Sequence, residues 1–300
     1  DEPEKSFPES PIDFSRDGFA MRVVGNAYHG ANDPGGHFFY SYDSGNSWKG
    51  PYSFGAILEC PEIKKYGMND LTPRTDYLVT GQDKCVVFMS ARRRGKFGKD
   101  RLFCVETSDG GKSFQFLGWV IKPFEENDPK NSRKVVLTDD PEKNPYPTQC
   151  RAVMSHSILL DNGEIISVMR RKFEMDRNYN WIDAYKSADG GKTWHFLSRV
   201  GDTGLGNGNP PSITLTKDGR FCVVYGERTN GTIQAVISQD KGETWSEPQI
   251  LMDGFWSEDM EFGDLGYPRV FSRSDGRLVA VYYYSTKDHL HHLRATIFNP

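Results

Sequence analysis

The sequence contains no apolar run approaching the roughly 18 residues that a membrane-spanning helix needs, so no membrane span is expected. Its 300 residues carry a formal net charge of only −4, which gives no overall attraction for nucleic acid or anionic membranes. The five cysteines are an odd number and lack the spacing of a metal site. No metal, other cofactor or nucleic-acid partner is therefore expected.

The composition instead favours an all-β protein that is rich in turns. The chain has 30 glycines and 17 prolines, and 13% of its residues are aromatic. Glycine and proline mark turns, whereas aromatic residues are enriched in strands. A chain of 300 residues is also long enough to bury a large core in one domain.

One eight-residue phrase occurs four times, with the pattern Ser/Thr-x-Asp-x-Gly-x-Ser/Thr-aromatic. In this pattern the Asp side chain can accept hydrogen bonds from backbone N–H groups across a turn, and the Gly can adopt a positive φ angle. The hydroxyl residue can bond locally, and the aromatic ring can pack under the turn. Repetition of one such unit predicts an array of similar sheets. The copies are 41–48, 107–114, 187–194 and 238–245.

A second set of turns, mostly Asp-Gly or Asn-Gly, precedes each of these phrases at a regular distance of 22 to 28 residues. This regularity predicts units of four strands, with one strand on each side of the inner turn and one on each side of the repeated phrase. The fifth unit lacks the phrase and offers three strands, the last near 293–298. The inner turns are 17–18, 82–83, 161–163, 218–219 and 275–276.

The repeated phrase is the Asp-box, or bacterial neuraminidase repeat, and the chain resembles the sialidase-like β-propeller superfamily. The resemblance implies a β-propeller of four-stranded antiparallel blades, of which five can be recognised and six remain an alternative. Residues 1–300 would form a single propeller domain, and an N-terminal blade could be missing from it. The N-terminal segment would supply the outer strand of the fifth blade. The resemblance also places the boxes on the outer rim, away from the ligand.

In such a propeller, the start of the first strand and the end of the second strand of each blade lie at the mouth of a funnel. Arginines recur at these positions, and several guanidinium groups in one funnel would repel one another unless they share an anion. We therefore expect a ligand with an acidic sugar, although each arginine could instead pair with a local carboxylate. The predicted substrate-binding residues are Arg74, Asp76, Arg151, Arg171, Arg228, Tyr267 and Arg269.

A glycosidase also needs an acid and a nucleophile or base. Sialidases use a Tyr nucleophile, a Glu that activates it and an Asp acid. By this resemblance the best candidates here are Tyr284, Glu227 and Asp264, with Tyr267 as an alternative to Tyr284. A polysaccharide lyase is the alternative, with His29 or His156 and a Tyr as the working pair. We include His29 among the predicted catalytic residues.

These patterns predict a secreted or periplasmic exo-glycoside hydrolase whose partner is an acidic oligosaccharide or polysaccharide. Two further functions remain open at this point. One is a lyase that acts on a uronic-acid polysaccharide, and the other is a propeller that binds glycans without catalysis.

Overall fold

The computed structural model describes residues 6–25, 35–93, 100–123, 150–173, 179–257 and 264–300. Within these ranges the chain forms nineteen strands, a 3₁₀ turn at Ile57–Glu59 and one short α-helix at Pro61–Lys64. No helix in the described ranges has the length and apolar character needed to cross a membrane. The chain is therefore all-β, as its composition predicts.

The strands form five antiparallel sheets, numbered in chain order. The first sheet consists of β1 (Ala20–Val24), β2 (His37–Ser41) and β3 (Lys49–Ser53). The second consists of β4 (Asp70–Leu71), β5 (Tyr77–Val79), β6 (Cys85–Arg92), β7 (Arg101–Thr107) and β8 (Gln115–Trp119). Because β4 and β5 both pair with β6, they are two parts of one interrupted first strand.

The third sheet consists of β9 (Cys150–Leu159), β10 (Ile165–Phe173), β11 (Asn180–Ser187) and β12 (His195–Asp202). The fourth consists of β13 (Ser212–Leu215), β14 (Phe221–Glu227), β15 (Thr232–Ser238) and β16 (Gln249–Met252). The fifth consists of β17 (Gly266–Ser272), β18 (Leu278–Tyr284) and β19 (His292–Phe298). The three-stranded fifth unit predicted from the sequence is thus confirmed.

The chain divides into two compact units. Unit 1 comprises residues 1–154 and 188–194, and its core is an aromatic cluster that includes Phe38, Phe54 and Phe103. Unit 2 comprises residues 155–187 and 195–300. Within unit 2, apolar side chains of the fourth sheet pack against the third sheet on one face and against the fifth sheet on the other. That the two units form one domain remains a prediction.

The inner turns of unit 2 share one backbone geometry. At each of them a glycine with a φ of 83° to 85° donates its N–H to a carbonyl three residues earlier, at 2.9 to 3.0 Å. A side chain at this φ would be strained, which explains the recurring glycine. The three bonds run from Gly163 to Leu160, from Gly219 to Thr216 and from Gly276 to Arg273.

The four Asp-boxes close in the same way. In the first box, Asp43 accepts the Ser47 backbone N–H at 2.8 Å with one oxygen and the Ser47 hydroxyl at 2.5 Å with the other. Asp109, Asp189 and Asp240 repeat these two bonds to the residue four positions later. The sequence prediction that the Asp caps the turn is confirmed, because each carboxylate satisfies two donors of its own loop.

The described part of the N-terminal segment, which begins at Ser6, does not form the outer strand predicted for it in the fifth sheet. Ser6 forms a parallel bridge with Tyr52 of β3, and Ser53 donates its backbone N–H to the Ser6 carbonyl at 2.8 Å. The segment therefore lies at the outer edge of the first sheet. The prediction was wrong because strand count alone does not identify which sheet edge a segment reaches.

The two faces of the fifth sheet differ sharply in exposure. On one face, Leu278, Ala280 and Tyr282 are buried against the fourth sheet. On the other face, Leu293 is 79% exposed and Ile297 is 48% exposed. Successive residues of a strand point to opposite faces. Apolar side chains occur on both faces of this sheet, but only one face packs against a neighbouring sheet within the described residues.

The box carboxylates make stability depend on pH. In the fourth box, hydrogen bonds from the Thr244 hydroxyl and backbone N–H lower the pKa of the Asp240 carboxyl group from 3.8 to about 2. The charged form stabilises the native state above the unfolded pKa, and this stabilisation is lost as pH falls from about 4 toward 2. We expect Asp240→Asn to lower the thermal midpoint at pH 7 and to lose less stability than the unmodified chain between pH 4 and pH 2. Circular dichroism melts at pH 7 and between pH 4 and pH 2 measure the two effects. Equal losses of stability in the two proteins between pH 4 and pH 2 would contradict the role of Asp240.

The two faces of the fifth sheet also predict different mutational costs. Leu278→Ala removes a fully buried side chain and should lower the free energy of unfolding by about 2–5 kcal/mol. Leu293→Ala, on the exposed face, should change it by less than about 0.5 kcal/mol. Urea unfolding of both variants tests this, and a large effect of Leu293→Ala would mean that its face is covered in solution.

Candidate functional site

Antiparallel pairing places the start of the first strand of a sheet beside the end of the second strand. In the fifth sheet, Gly266 at the start of β17 lies opposite Tyr283 near the end of β18. In the fourth sheet, Arg228 directly follows β14. Together with Asp264, these ends form a group of polar side chains in unit 2. We call Arg228, Asp264, Tyr267 and Tyr283 the Arg228 cluster.

The Arg228 cluster is held by a small number of polar contacts. Nη2 of Arg228 lies 3.5 Å from Oδ1 of Asp264 and donates to the Leu265 carbonyl at 3.4 Å. The Tyr283 hydroxyl donates to the same Asp264 oxygen at 2.5 Å. The Arg228 side chain is 9% exposed, whereas that of Asp264 is 70% exposed. The cluster thus joins a buried cation to an accessible carboxylate.

Two tyrosines form the apolar part of the cluster. The rings of Tyr267 and Tyr283 lie 5.8 Å apart with an interplanar angle of 33°, and Tyr267 is 42% exposed. Burial, together with the hydrogen bond to Asp264, raises the pKa of Tyr283 well above its ordinary value of 10. The phenol is therefore protonated at neutral pH, and its O–H is directed at Asp264.

Glu227 has a well-defined local role. Its carboxylate accepts the backbone N–H groups of Thr229 and Asn230 at 2.7 and 2.9 Å, and the Asn230 side-chain amide at 2.9 Å. These bonds close the turn between β14 and β15. The predicted catalytic role of Glu227 remains a prediction, and the turn accounts for the presence of a carboxylate here.

Tyr284 lies on the opposite face of β18 from Tyr283. It is fully buried, donates its hydroxyl to the Gly231 carbonyl and packs edge-on against Phe255. Its catalytic role also stays a prediction. The neighbouring Tyr283, which we did not select from the sequence, is the tyrosine that contacts Asp264.

The other arginines predicted in unit 2 have different surroundings. Arg171 is buried in β10, where its Nη1 donates to Asp183 at 3.1 Å and its guanidinium lies 5.6 Å from the Trp181 ring. Burial raises the pKa of Asp183, and Arg171 opposes that rise. Arg269 is half-buried in β17, opposite Val281. Substrate binding by these two arginines remains a prediction.

Unit 1 contains a separate polar group around Asp100. Nε of Arg151 donates to Asp100 at 2.5 Å, and the Thr72 hydroxyl donates to the other carboxylate oxygen at 3.3 Å. Arg74 is half-buried, and Asp76 is buried in the interruption between β4 and β5. The three predicted substrate-binding residues Arg74, Asp76 and Arg151 therefore belong to unit 1. Their role in binding stays a prediction.

Of the two histidines of the lyase hypothesis, His156 lies within the described residues. His29 lies outside the described residues. Nδ1 of His156 accepts the Ile213 backbone N–H at 3.0 Å and lies 3.1 Å from the Ser212 hydroxyl. Because a backbone N–H can only donate, Nδ1 is unprotonated in this arrangement. No group of three His, Cys, Asp or Glu side chains suited to a metal ion occurs in the described part of the chain.

Comparison with known proteins identifies the family. A family model described as a BNR repeat-like domain matches residues 23–280, which is most of the chain. No curated protein matches the chain in sequence.

Several solved structures share the fold at low sequence identity. A protein of unknown function from Dyadobacter fermentans has a TM-score of 0.58 and 18% identity, covering 89% of this chain and 64% of its own. The Hadza microbial sialidase Hz136 has a TM-score of 0.55 and 13% identity, covering 97% and 65%. An α-L-arabinofuranosidase from Fusarium graminearum, solved with arabinobiose, has a TM-score of 0.52 and 15% identity, covering 75% and 62%.

This chain spans less than two thirds of the length of each of these three structures. At such identities the likeness establishes the fold class and leaves the reaction open. The five antiparallel sheets correspond to the five blades of that class. The chain belongs to the BNR repeat-like family and has the fold of the sialidase-like, glycoside-hydrolase-like β-propellers.

Proposed function

We propose that the chain is a glycoside hydrolase that acts on a glycan with an acidic sugar, and that the Arg228 cluster is its reacting centre. The observation that carries this proposal is an unsatisfied hydrogen-bond donor on the Arg228 side chain. Its Nε is buried and has no hydrogen-bond acceptor among the described residues. A buried donor without a partner is costly, so this guanidinium favours an anionic ligand.

A sugar carboxylate fits that requirement. A guanidinium group presents parallel N–H donors that match the two oxygens of a carboxylate. In the described part of the chain, the ion pair of Arg228 is a distant contact of 3.5 Å with the exposed Asp264, so these residues neutralise its cation weakly. By contrast, Arg151 and Arg171 each pair with a buried carboxylate of their own unit. Arg228 is thus the arginine that best supports an acidic ligand.

Asp264 and Tyr283 supply the chemistry that hydrolysis requires. The Tyr283 oxygen would form a bond to the anomeric carbon while its proton passes to Asp264 and the bond to the leaving oxygen breaks. The leaving oxygen would take that proton from Asp264 and depart as an alcohol. A water oxygen would then bond to the anomeric carbon as the bond to Tyr283 breaks, and one proton of that water would pass through Asp264 to the Tyr283 oxygen. A contact of 2.5 Å between the two groups supports this transfer. Sialidases likewise combine a tyrosine with an activating carboxylate, although there the carboxylate is a Glu, and the activating role proposed here falls to Asp264.

Tyr267 would bind the sugar ring. Its side chain is 42% exposed and lies beside Tyr283, so its ring offers apolar surface next to the polar groups. Carbohydrate and other small-ligand sites typically combine such apolar surface with a few placed polar groups.

The catalytic part of the proposal predicts a contrast between adjacent tyrosines. Tyr283→Phe and Asp264→Asn should each lower kcat by about 10²- to 10⁴-fold, because proton transfer between them is lost. Tyr282→Phe is the matched control. The Tyr282 hydroxyl points to the other face of the sheet, where it bonds to Thr296 of β19. Release of reducing sugar from sialosides, uronides and arabinosides measures the activity.

Three outcomes would contradict this assignment. Equal activity of Tyr283→Phe and Tyr282→Phe would remove Tyr283 from the reaction. A product with a new double bond, detected by its ultraviolet absorbance, would show a lyase. Glycan binding without turnover by the unmodified chain would show a binding protein.

The acidic-sugar part predicts a separate effect on specificity. Arg228→Met should lower kcat/KM on an acidic glycoside by about 10- to 100-fold, which corresponds to about 1.5–3 kcal/mol for a charged hydrogen bond. A neutral arabinoside should be affected by less than about threefold, because it offers no carboxylate. Arg220→Met is the control, since Arg220 pairs with Asp218 at an exposed turn of the same sheet. An equal loss on both substrates, or a preference of the unmodified chain for the arabinoside, would contradict the proposal.

A further inference from the structure

We propose that Asn209 is a positioning residue for the Arg228 cluster, an inference that rests on the function proposed above. Asn209 lies three residues before β13 and is fully buried. Its side-chain amide donates to the Leu265 carbonyl at 2.5 Å, and its side-chain oxygen accepts the Tyr267 backbone N–H at 3.1 Å. One side chain therefore holds the backbone on both sides of Gly266.

This bracing links the approach to β13, in the fourth sheet, to the start of β17, in the fifth sheet. Residues 210 and 211 are both prolines, which have no backbone N–H to donate to the neighbouring segment. The Asn209 side chain supplies both a donor and an acceptor to the segment around Gly266. A buried amide that satisfies two backbone groups is stabilising, whereas the same groups left unpaired would be costly.

The backbone next to Asn209 adopts conformations that side chains rarely tolerate. Gly266 has a φ of 111°, and a Cβ atom there would lie 2.2 Å from the Asn209 side-chain oxygen. Tyr267 has a φ of 48°, in the left-handed region that is unfavourable for a residue with a side chain. The bond from the Tyr267 N–H to Asn209 helps to hold this strained residue.

The braced segment carries the proposed reacting groups. Asp264 and Tyr267 flank Leu265 and Gly266, and Arg228 donates to the same Leu265 carbonyl as Asn209. A change in the path of residues 264–267 would therefore move Asp264 relative to both Arg228 and Tyr283. Displacement of a reacting group by about 1 Å can cost about 10²-fold in rate.

Ser212 provides a matched comparison within the same pair of strands. Its buried hydroxyl accepts the Val270 backbone N–H at 3.0 Å, just as Asn209 accepts that of Tyr267. Both bonds join β13 or its approach to β17 across 58 residues of sequence. Of these two bonds, only that of Asn209 lies next to the Arg228 cluster. A Ser212 variant therefore measures the loss of a bond that supports the fold, and the difference between the two variants measures the positioning of the site.

The test compares Asn209→Ala with Ser212→Ala in the 300-residue chain. We expect similar losses of thermal stability, but a 10- to 100-fold lower kcat for Asn209→Ala alone, with KM changed by less than about threefold. The crystal structure of Asn209→Ala should show the Tyr283 hydroxyl more than about 3.5 Å from Asp264, beyond hydrogen-bond distance. If Asn209→Ala does not fold, Asn209→Ser, which keeps an acceptor but has a shorter side chain, takes its place.

The structural readout distinguishes this inference from the proposed function. If the unmodified chain hydrolyses no glycoside, the proposed function fails, while the distance between Tyr283 and Asp264 still tests the role of Asn209. Retention of that hydrogen bond in the variant would overturn the positioning role whether or not the chain is active. Equal kcat values for the Asn209 and Ser212 variants would also overturn it.

Discussion

Antiparallel hairpin pairing is the constraint on which the described site depends. A tight turn joins the first two strands of a sheet, so the residue that begins one strand must face the residue that ends the other. In the fifth sheet this pairing brings Gly266 opposite Tyr283, although 17 residues separate them in sequence. The inner turn sets the register from Ser272 to Arg269, and an irregularity between Arg269 and Gly266 then shifts it by one residue, so both features place Gly266 opposite Tyr283.

The residues that identify the family differ from those proposed to act. Each Asp-box carboxylate uses both oxygens to bind its own loop, so none of them needs a ligand to satisfy it. The Arg228 cluster is different, because it includes a buried Nε with no described acceptor. Local satisfaction explains why the boxes can recur in proteins with different reactions, since they specify turns and leave the remaining chemistry open.

Much of the fold could be predicted from the sequence because the turns are local. The boxes and the inner turns need only residues within a few positions of one another, and their spacing locates the strands between them. The edge position of the N-terminal segment could not be found in this way. It depends on a bridge between Ser6 and Tyr52, which the local pattern does not encode.

The site was harder to predict because it depends on partners far apart in sequence. Arg151 and its partner Asp100 are separated by 51 residues, and nothing in the local pattern connects them. The selection of Tyr284 over Tyr283 shows a second difficulty. Adjacent strand residues point to opposite faces, so an uncertainty of one position exchanges a buried hydroxyl bonded to Gly231 for one bonded to Asp264.

The arginines show how one residue type serves two purposes in the same fold. Arg171 lies beside Asp183 and Trp181 within its own sheet, so its charge is compensated where it stands and it rigidifies the strands. Among the described residues, Arg228 has an exposed carboxylate at 3.5 Å and a shared carbonyl, so these groups compensate its charge incompletely. Whether the compensating group is a buried partner or an accessible one thus decides if an arginine supports the sheet or remains available to a ligand. By that criterion, recurrence of arginine along the sequence is a weak guide to binding, and the burial of its partner is a better one.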